Sequence, residues 1–312
     1  MARFISRPLM LALVLMAALF ITACGGGVDV PKTADMAVLR VANGVAENKP
    51  VVIWDALPES YQKDVHELVH NLMGKVDGSF YNSIADTSKK LTKVLKEKKQ
   101  FILAHPMVAQ QMPNKAEVEK QWDQIVGILD SILSSDLGKY ETAKTVNVGA
   151  FLDTTGSKIM ADLTNAAKLA STGERRSEAN EMLDMYEKLK KIKATMVKES
   201  GDTATVKMEM PGEETKETEF VRIEGKWLPK EMVDGWKEMM TEARKALSGI
   251  DAAELKKNTD QAFDIIGKVN GVLDQLDKAK TQEKFNAAIN GLMALMQGGG
   301  AGPGPEGKGD DF

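Results

Sequence analysis

Between residues 51 and 140, and again from Pro229 to Met296, apolar side chains return every three or four positions. At 3.6 residues per turn such positions fall into one stripe, and a stripe is stable only when buried against another element. Leu57-Pro58-Glu59 opens a segment in which Tyr61, Val65, Leu68, Val69, Leu72, Met73 and Val76 keep the spacing. Pro58 suits a first helical turn, where its missing N–H costs nothing. Ile84, Leu91, Val94, Leu95, Phe101 and Ile102 predict a second helix, ended by His105-Pro106. Val118, Trp122, Ile125, Leu129 and Ile132 predict a third. Each needs partners for its stripe, so the expected product is a helical bundle over residues 51–140.

The pattern changes after residue 140. Thr145 to Leu152 (TVNVGAFL) reads as a strand, while Lys158 to Ala170 and Ser177 to Met196 read as helices. Thr203 to Met210 alternates, Pro211-Gly212 breaks the run, and Thr218 to Trp227 resumes it, which predicts a β-hairpin over 203–227. Trp227 and Trp236 flank Pro229 and are expected to anchor the hairpin on the following helix. Ala262, Ile266, Val269, Leu273 and Leu276 follow a four-three spacing, and Phe285, Ile289, Leu292 and Met296 mark a last helix. Two heptads are too few for a dimerising coiled coil, so packing within the chain is expected. The predicted fold is mainly α with a small α+β part: an N-terminal helical bundle, a central β-hairpin packed on helices, and C-terminal helices, with the α+β segment over 141–296. The stretches Gly201 to Val206 and Val221 to Trp227 resemble hairpins in NTF2-like, cone-shaped domains of bacterial lipoproteins. That resemblance implies small-ligand binding between the hairpin and its covering helices.

The first residues set the compartment. Arg3 and Arg7 form a positive n-region, and Leu9 to Ile21 is an apolar run of 13 residues. A membrane span needs about 20, so residues 1–23 read as a cleaved signal peptide. The ending Ile21-Thr22-Ala23-Cys24 resembles the lipobox of bacterial lipoproteins. The resemblance implies acylation of the Cys24 thiol, palmitate included, and a protein anchored in a membrane outside the cytoplasm. Gly25 stands where an aspartate would retain a lipoprotein in the inner membrane, so the outer membrane is favoured if the cell has one. Residues 24–50, which begin with three glycines and contain a weakly helical piece around Ala34 to Val45, read as a lipid-attached tether. Residues 297–312 are glycine-rich and too polar to order themselves, and are expected to be disordered.

Cleavage removes two of the 41 basic residues and none of the 45 acidic ones, leaving 39 against 45 and a net charge of −6. That balance argues against nucleic-acid binding. Cys24 is the single cysteine, so no disulfide staples the fold and no thiolate serves a metal or a nucleophile.

One motif looks catalytic. His66-Glu67-Leu68-Val69-His70 is a literal HExxH on a predicted helix. Histidines four apart share a face and can hold one zinc, whose bound water the glutamate can deprotonate. Against this, with Val65 at zero, His66 and His70 lie at about 100° and 140°, on the shoulder of the apolar stripe, and Glu67 near 200° faces solvent. Asp64 stands two residues before the motif, unlike the uncharged flanks usual in zincins, and no third ligand falls in a zincin position. Asp77 shares the histidines' face at about 120°, but one continuous helix spreads the three too far apart. A solvated histidine pair is the favoured reading, with zinc and catalysis by Glu67 the alternative.

Two further stretches need weighing. Lys89, Lys90, Lys93, Lys96, Lys98 and Lys99 crowd one helix and are expected to be a solvated face, with anionic lipid headgroups as the alternative partner. Asp153 to Lys158 (DTTGSK) lacks the order of a P-loop and is expected to be a turn capped by Asp153 or Thr155. The expectation for function is a lipid-anchored cell-envelope protein with a non-enzymatic structural or interaction role and no cofactor. Its partners would be the membrane through Cys24 and envelope proteins. The alternatives are a membrane-tethered zinc metallopeptidase and a small-ligand binder.

Overall fold

The computed structural model describes residues 30–106, 115–170, 176–250 and 252–297. The expected signal peptide, Cys24, Gly25 and the tail from Gly298 lie outside these residues. In chain order the helices are α1 (Ala34–Ala46), α2 (Val51–Asp55), α3 (Glu59–Lys75), α4 (Gly78–Glu97), α5 (Lys99–Leu103), α6 (Lys115–Ser134), α7 (Tyr140–Ala143) and α8 (Val148–Phe151). A π-helical turn (Leu152–Gly156) leads from α8 into α9 (Ser157–Ala170), and α10 is Arg176–Lys190. Four strands follow, β1 (Lys193–Ser200), β2 (Thr203–Glu209), β3 (Lys216–Ile223) and β4 (Lys226–Pro229), then α11 (Lys230–Ser248), α12 (Ala252–Lys278) and α13 (Gln282–Gln297). The fold is mainly α with a small antiparallel sheet, strand order β1-β2-β3-β4.

The sheet is a meander larger than the expected hairpin. Met196, expected in a helix, lies in β1, which pairs with β2 from Lys193↔Glu209 to Ser200↔Thr203 with a slip between Met196 and Lys198. β3 and β4 turn on Glu224 (φ 50°) and Gly225 (φ 81°), the two positive φ values that a tight two-residue hairpin turn needs. Glu224 is the costly member of that pair, and its carboxylate accepts a hydrogen bond from the Ser60 backbone N–H at the start of α3. This hydrogen bond ties the start of the HELVH helix to the β3–β4 turn.

The two faces of the sheet carry different helices. Ala204, Val206, Phe220 and Trp227 pack under Ala34 and Ala37 of α1. Leu228, with Ile223 beside it, packs on the other face with Trp236, Met232 and Val233 of α11. The residues expected to form a tether therefore include α1, which is docked: Ala34, Ala37, Ala42 and Ala46 are buried. Its stripe is alanine, which a hydropathy pattern registers weakly but which lets a helix approach a sheet closely. Gly44 has the same role against α2, since a Cβ there would stand 2.3 Å from Val52 Cγ1.

The cores cross the expected boundary at residue 140. Trp54, Leu57, Val65, Leu68 and Val69 share one cluster with Val146, Leu152, Trp236 and Met240. A second cluster joins Val94 of α4 to Leu273, Leu276 and Phe285 of α12 and α13. The region expected as a strand at 145–152 is not one: Val148–Phe151 is helical and Leu152 opens the π-helical turn. Asn147 caps α8, its Oδ1 accepting from the Gly149 and Ala150 N–H groups, and this outweighs the β-branched residues around it. Asp153 and Thr155 accordingly sit inside the π turn and cap nothing.

Candidate functional site

The short helix α2 carries two adjacent clusters, one on each flank, and both build from residues that α1, α3 and the β3–β4 turn bring to it. On the first flank, α3 buries Val65, Leu68 and Val69 as its stripe requires. His66 is then half-buried at the stripe's edge, its ring edge-on to Trp54 at 5.4 Å, and His70 follows one turn on with ring centroids 5.9 Å apart. Burial first, and the neighbouring His70 second, hold the His66 imidazole below its ordinary pKa. Two imidazoles on adjacent turns of one helix have ligand chemistry.

The rest of the motif is committed elsewhere. Glu67 is exposed and lies between two cations, 4.0 Å from Lys63 Nζ and 3.7 Å from Arg244 Nη2 of α11. Asp64 accepts a hydrogen bond from Trp236 Nε1 at 2.9 Å and is paired with Arg244, while Tyr61 stacks on the Trp236 ring at 4.0 Å. The acidic side of α3 thus docks α11. Asp77, on the histidines' face by sequence, is past the end of α3 and caps α4, accepting from the Phe80 N–H at 2.8 Å. Among the described residues no histidine, cysteine or carboxylate completes a group of three around the pair.

The second flank was not singled out in the sequence. Asp55, the residue after Trp54, is 3.4 Å from Arg40 of α1, and Lys226 of β4 donates to the Asp55 carbonyl at 2.7 Å. Burial raises the Asp55 carboxyl above its ordinary pKa, opposed by Arg40 and Lys226, and burial lowers Lys226. With Val30 and Trp227 these residues enclose about 20 Å³, the room for one water. Between the sheet and α1 the space is filled by side chains, whereas a hollow of about 360 Å³ lies on the sheet beside the start of α11, lined by Thr203, Thr205, Glu219, Val221 and Lys230. The available signal was an acid closing a four-residue apolar run, Val51 to Trp54. Trp227 faces α1, its Nε1 donating to the Lys32 carbonyl, so of the two tryptophans only Trp236 lies on α11.

The lysine-rich helix is a staple. Lys90 pairs with Asp274 and Lys93 with Asp277, both at 2.7 Å, tying α4 to α12. Lys96 pairs with Asp130 and Lys99 with Asp123 of α6. Lys89 and Lys98 donate to the carbonyls of Gly138 and Ala279. His105 is buried just beyond α5. No protein-family model matches the chain, and comparisons with curated proteins and with solved structures likewise find no match.

Proposed function

We propose that this chain is a lipid-anchored protein of the cell envelope, outside the cytoplasm, with a non-enzymatic structural or interaction role. The observation that carries the reading is the leader: two arginines, a 13-residue apolar run and Ile21-Thr22-Ala23 before the only cysteine. Acylation at Cys24 anchors the protein, and Gly25, standing in place of an inner-membrane-retaining aspartate, favours the outer membrane in a cell that has one. Two features support the non-enzymatic side. The Glu67 carboxylate is engaged by Lys63 and Arg244 on the side of α3 that docks α11. Asp77, the carboxylate on the histidines' face by sequence, caps α4 instead.

Metabolic labelling with an alkyne-bearing palmitate analogue tests the anchor. The intact gene product should be labelled and lose residues 1–23, and Cys24→Ala should abolish both. An unlabelled chain that keeps its leader would refute the proposal. Metal content tests the rest: protein starting at Gly25 should retain no stoichiometric zinc through dialysis. About one zinc per chain, lost in His66→Ala/His70→Ala, would replace this reading with the metallopeptidase, to be assayed against Glu67→Gln.

A further inference from the structure

The site of the anchor and the docking of α1 together constrain how the body meets the membrane. Only Gly25 to Asp29 separate Cys24 from Val30, the first described residue. At about 3.3–3.6 Å per residue, the six steps from Cys24 to Val30 reach about 20 Å when fully extended. A compact body of this length has a radius of gyration near 18 Å and so a width of about 45 Å. A lipid on Cys24 is therefore on a leash shorter than the body is wide. Were α1 part of a loose tether, as its sequence suggests, the leash would be more than twice as long and would set no orientation. Its alanine face is buried on the sheet, so α1 moves with the body.

We propose that the outer face of α1 and the segment leading into it form the membrane-apposed surface of the protein, resting on phospholipid. This rests on Cys24 being the lipidated residue. On that face Val30 and Met36 are 43% and 53% exposed, beside exposed Lys32. Arg40 is paired with Asp55 in the cluster on α2 and Asp35 is half-buried, which leaves Lys32 as the exposed charge beside Val30 and Met36. The leash, with two apolar contacts, seats the face; attraction to anionic lipid adds little. On the opposite side of the sheet α11 packs against β3 and β4, and its Met239 is 48% exposed. Met36 and Met239 therefore lie on helices packed on opposite faces of the sheet, with similar exposure, and serve as paired reporters.

The experiment imposes the anchor chemically, so its outcome does not depend on whether a cell acylates Cys24, which the palmitate labelling decides. Protein starting at Cys24 is coupled through its single thiol to maleimide-bearing phospholipid in phosphatidylcholine vesicles. The control is the same protein capped with a soluble maleimide. Both are treated briefly with chloramine-T, an anionic oxidant, and sulfoxide formation at each methionine is read by peptide mass spectrometry. Met36 should oxidise several-fold more slowly on vesicles, with Met239 unchanged. A flexible Gly-Ser spacer of about 20 residues inserted between Asp29 and Val30 should return Met36 to the rate of the soluble control. Unprotected Met36, equal protection of Met36 and Met239, or protection that survives the spacer would each overturn the proposal.

Discussion

Gly44→Ala discriminates between a docked α1 and a tethered one, because the two cases predict opposite signs. In an exposed helix the change stabilises by about 1 kcal/mol, through propensity and a less flexible unfolded chain. In the structure the new Cβ would lie 2.3 Å from Val52 Cγ1 and 2.6 Å from Cγ2. Both atoms belong to a buried β-branched side chain on α2 with little freedom to turn away. Overpacking of that kind costs about 1–3 kcal/mol, so the net effect should be a loss of about 1 kcal/mol. Val52→Ala alone removes two methyl groups, about 1.6 kcal/mol of transfer, and with the residual cavity should cost about 2 kcal/mol. In the Val52→Ala background the two Cγ contacts are gone and only the residue-52 Cβ, 2.9 Å away, remains close, so Gly44→Ala should lose most of its cost, giving a coupling of about 1 kcal/mol in the double-mutant cycle. Urea unfolding followed by circular dichroism reads all four proteins, with unchanged m-values as the check that only stability moved. If Gly44→Ala stabilises the parent chain and adds independently to Val52→Ala, α1 is not packed on α2, and the orientation argument built on it fails as well.

Three further outcomes follow from the same contacts. His66 has its pKa held down by burial and by His70, so below about pH 6.5 the unfolded chain takes a proton that the folded chain refuses. Stability should fall as pH drops through that range and level off below the folded pKa; His66→Gln should flatten the slope, and a mutant with the parent's slope would show that His66 is not the group responsible. Asn147→Ala should cost about 1 kcal/mol by urea unfolding and Asn147→Ser much less, because the side chain caps α8; no loss with alanine would favour the extended conformation. Lys90→Glu/Lys93→Glu should destabilise the chain, adding Asp274→Lys/Asp277→Lys should restore it, and the difference should shrink in high salt. Failure of the reversed pair to recover stability would mean that α4 and α12 are held by Val94 and Leu273 without help from their charges.

The helices of α3, α6, α11 and α13 were legible because each carries its stripe in its own residues, and Val65, Leu68 and Val69 are buried as their spacing requires. The position of His66 and His70 at the edge of that stripe was legible for the same reason. β1 was not: Lys193 to Ser200 directly follows α10 and becomes a strand through pairing with β2, with Ala194 and Met196 under α1. At Asn147 a local hydrogen bond outcompeted β propensity, and a reading weighted to propensity took the wrong side.

The sequence by itself determined where most of the helices run and which side of each is apolar, and it carries the address we propose from its first 24 residues, because all of these depend on neighbours within one or two turns. Only the tertiary structure decided that α1 belongs to the body, that the lysines of α4 face Asp274 and Asp277, that Glu67 answers to Arg244, and that Asp55 sits between Arg40 and Lys226. Several of those pairings join residues more than 170 positions apart, such as Lys226 with Asp55 and Lys90 with Asp274. Local periodicity shows that a side chain needs a partner. Which partner it meets is set by how the helices cross and how the sheet turns.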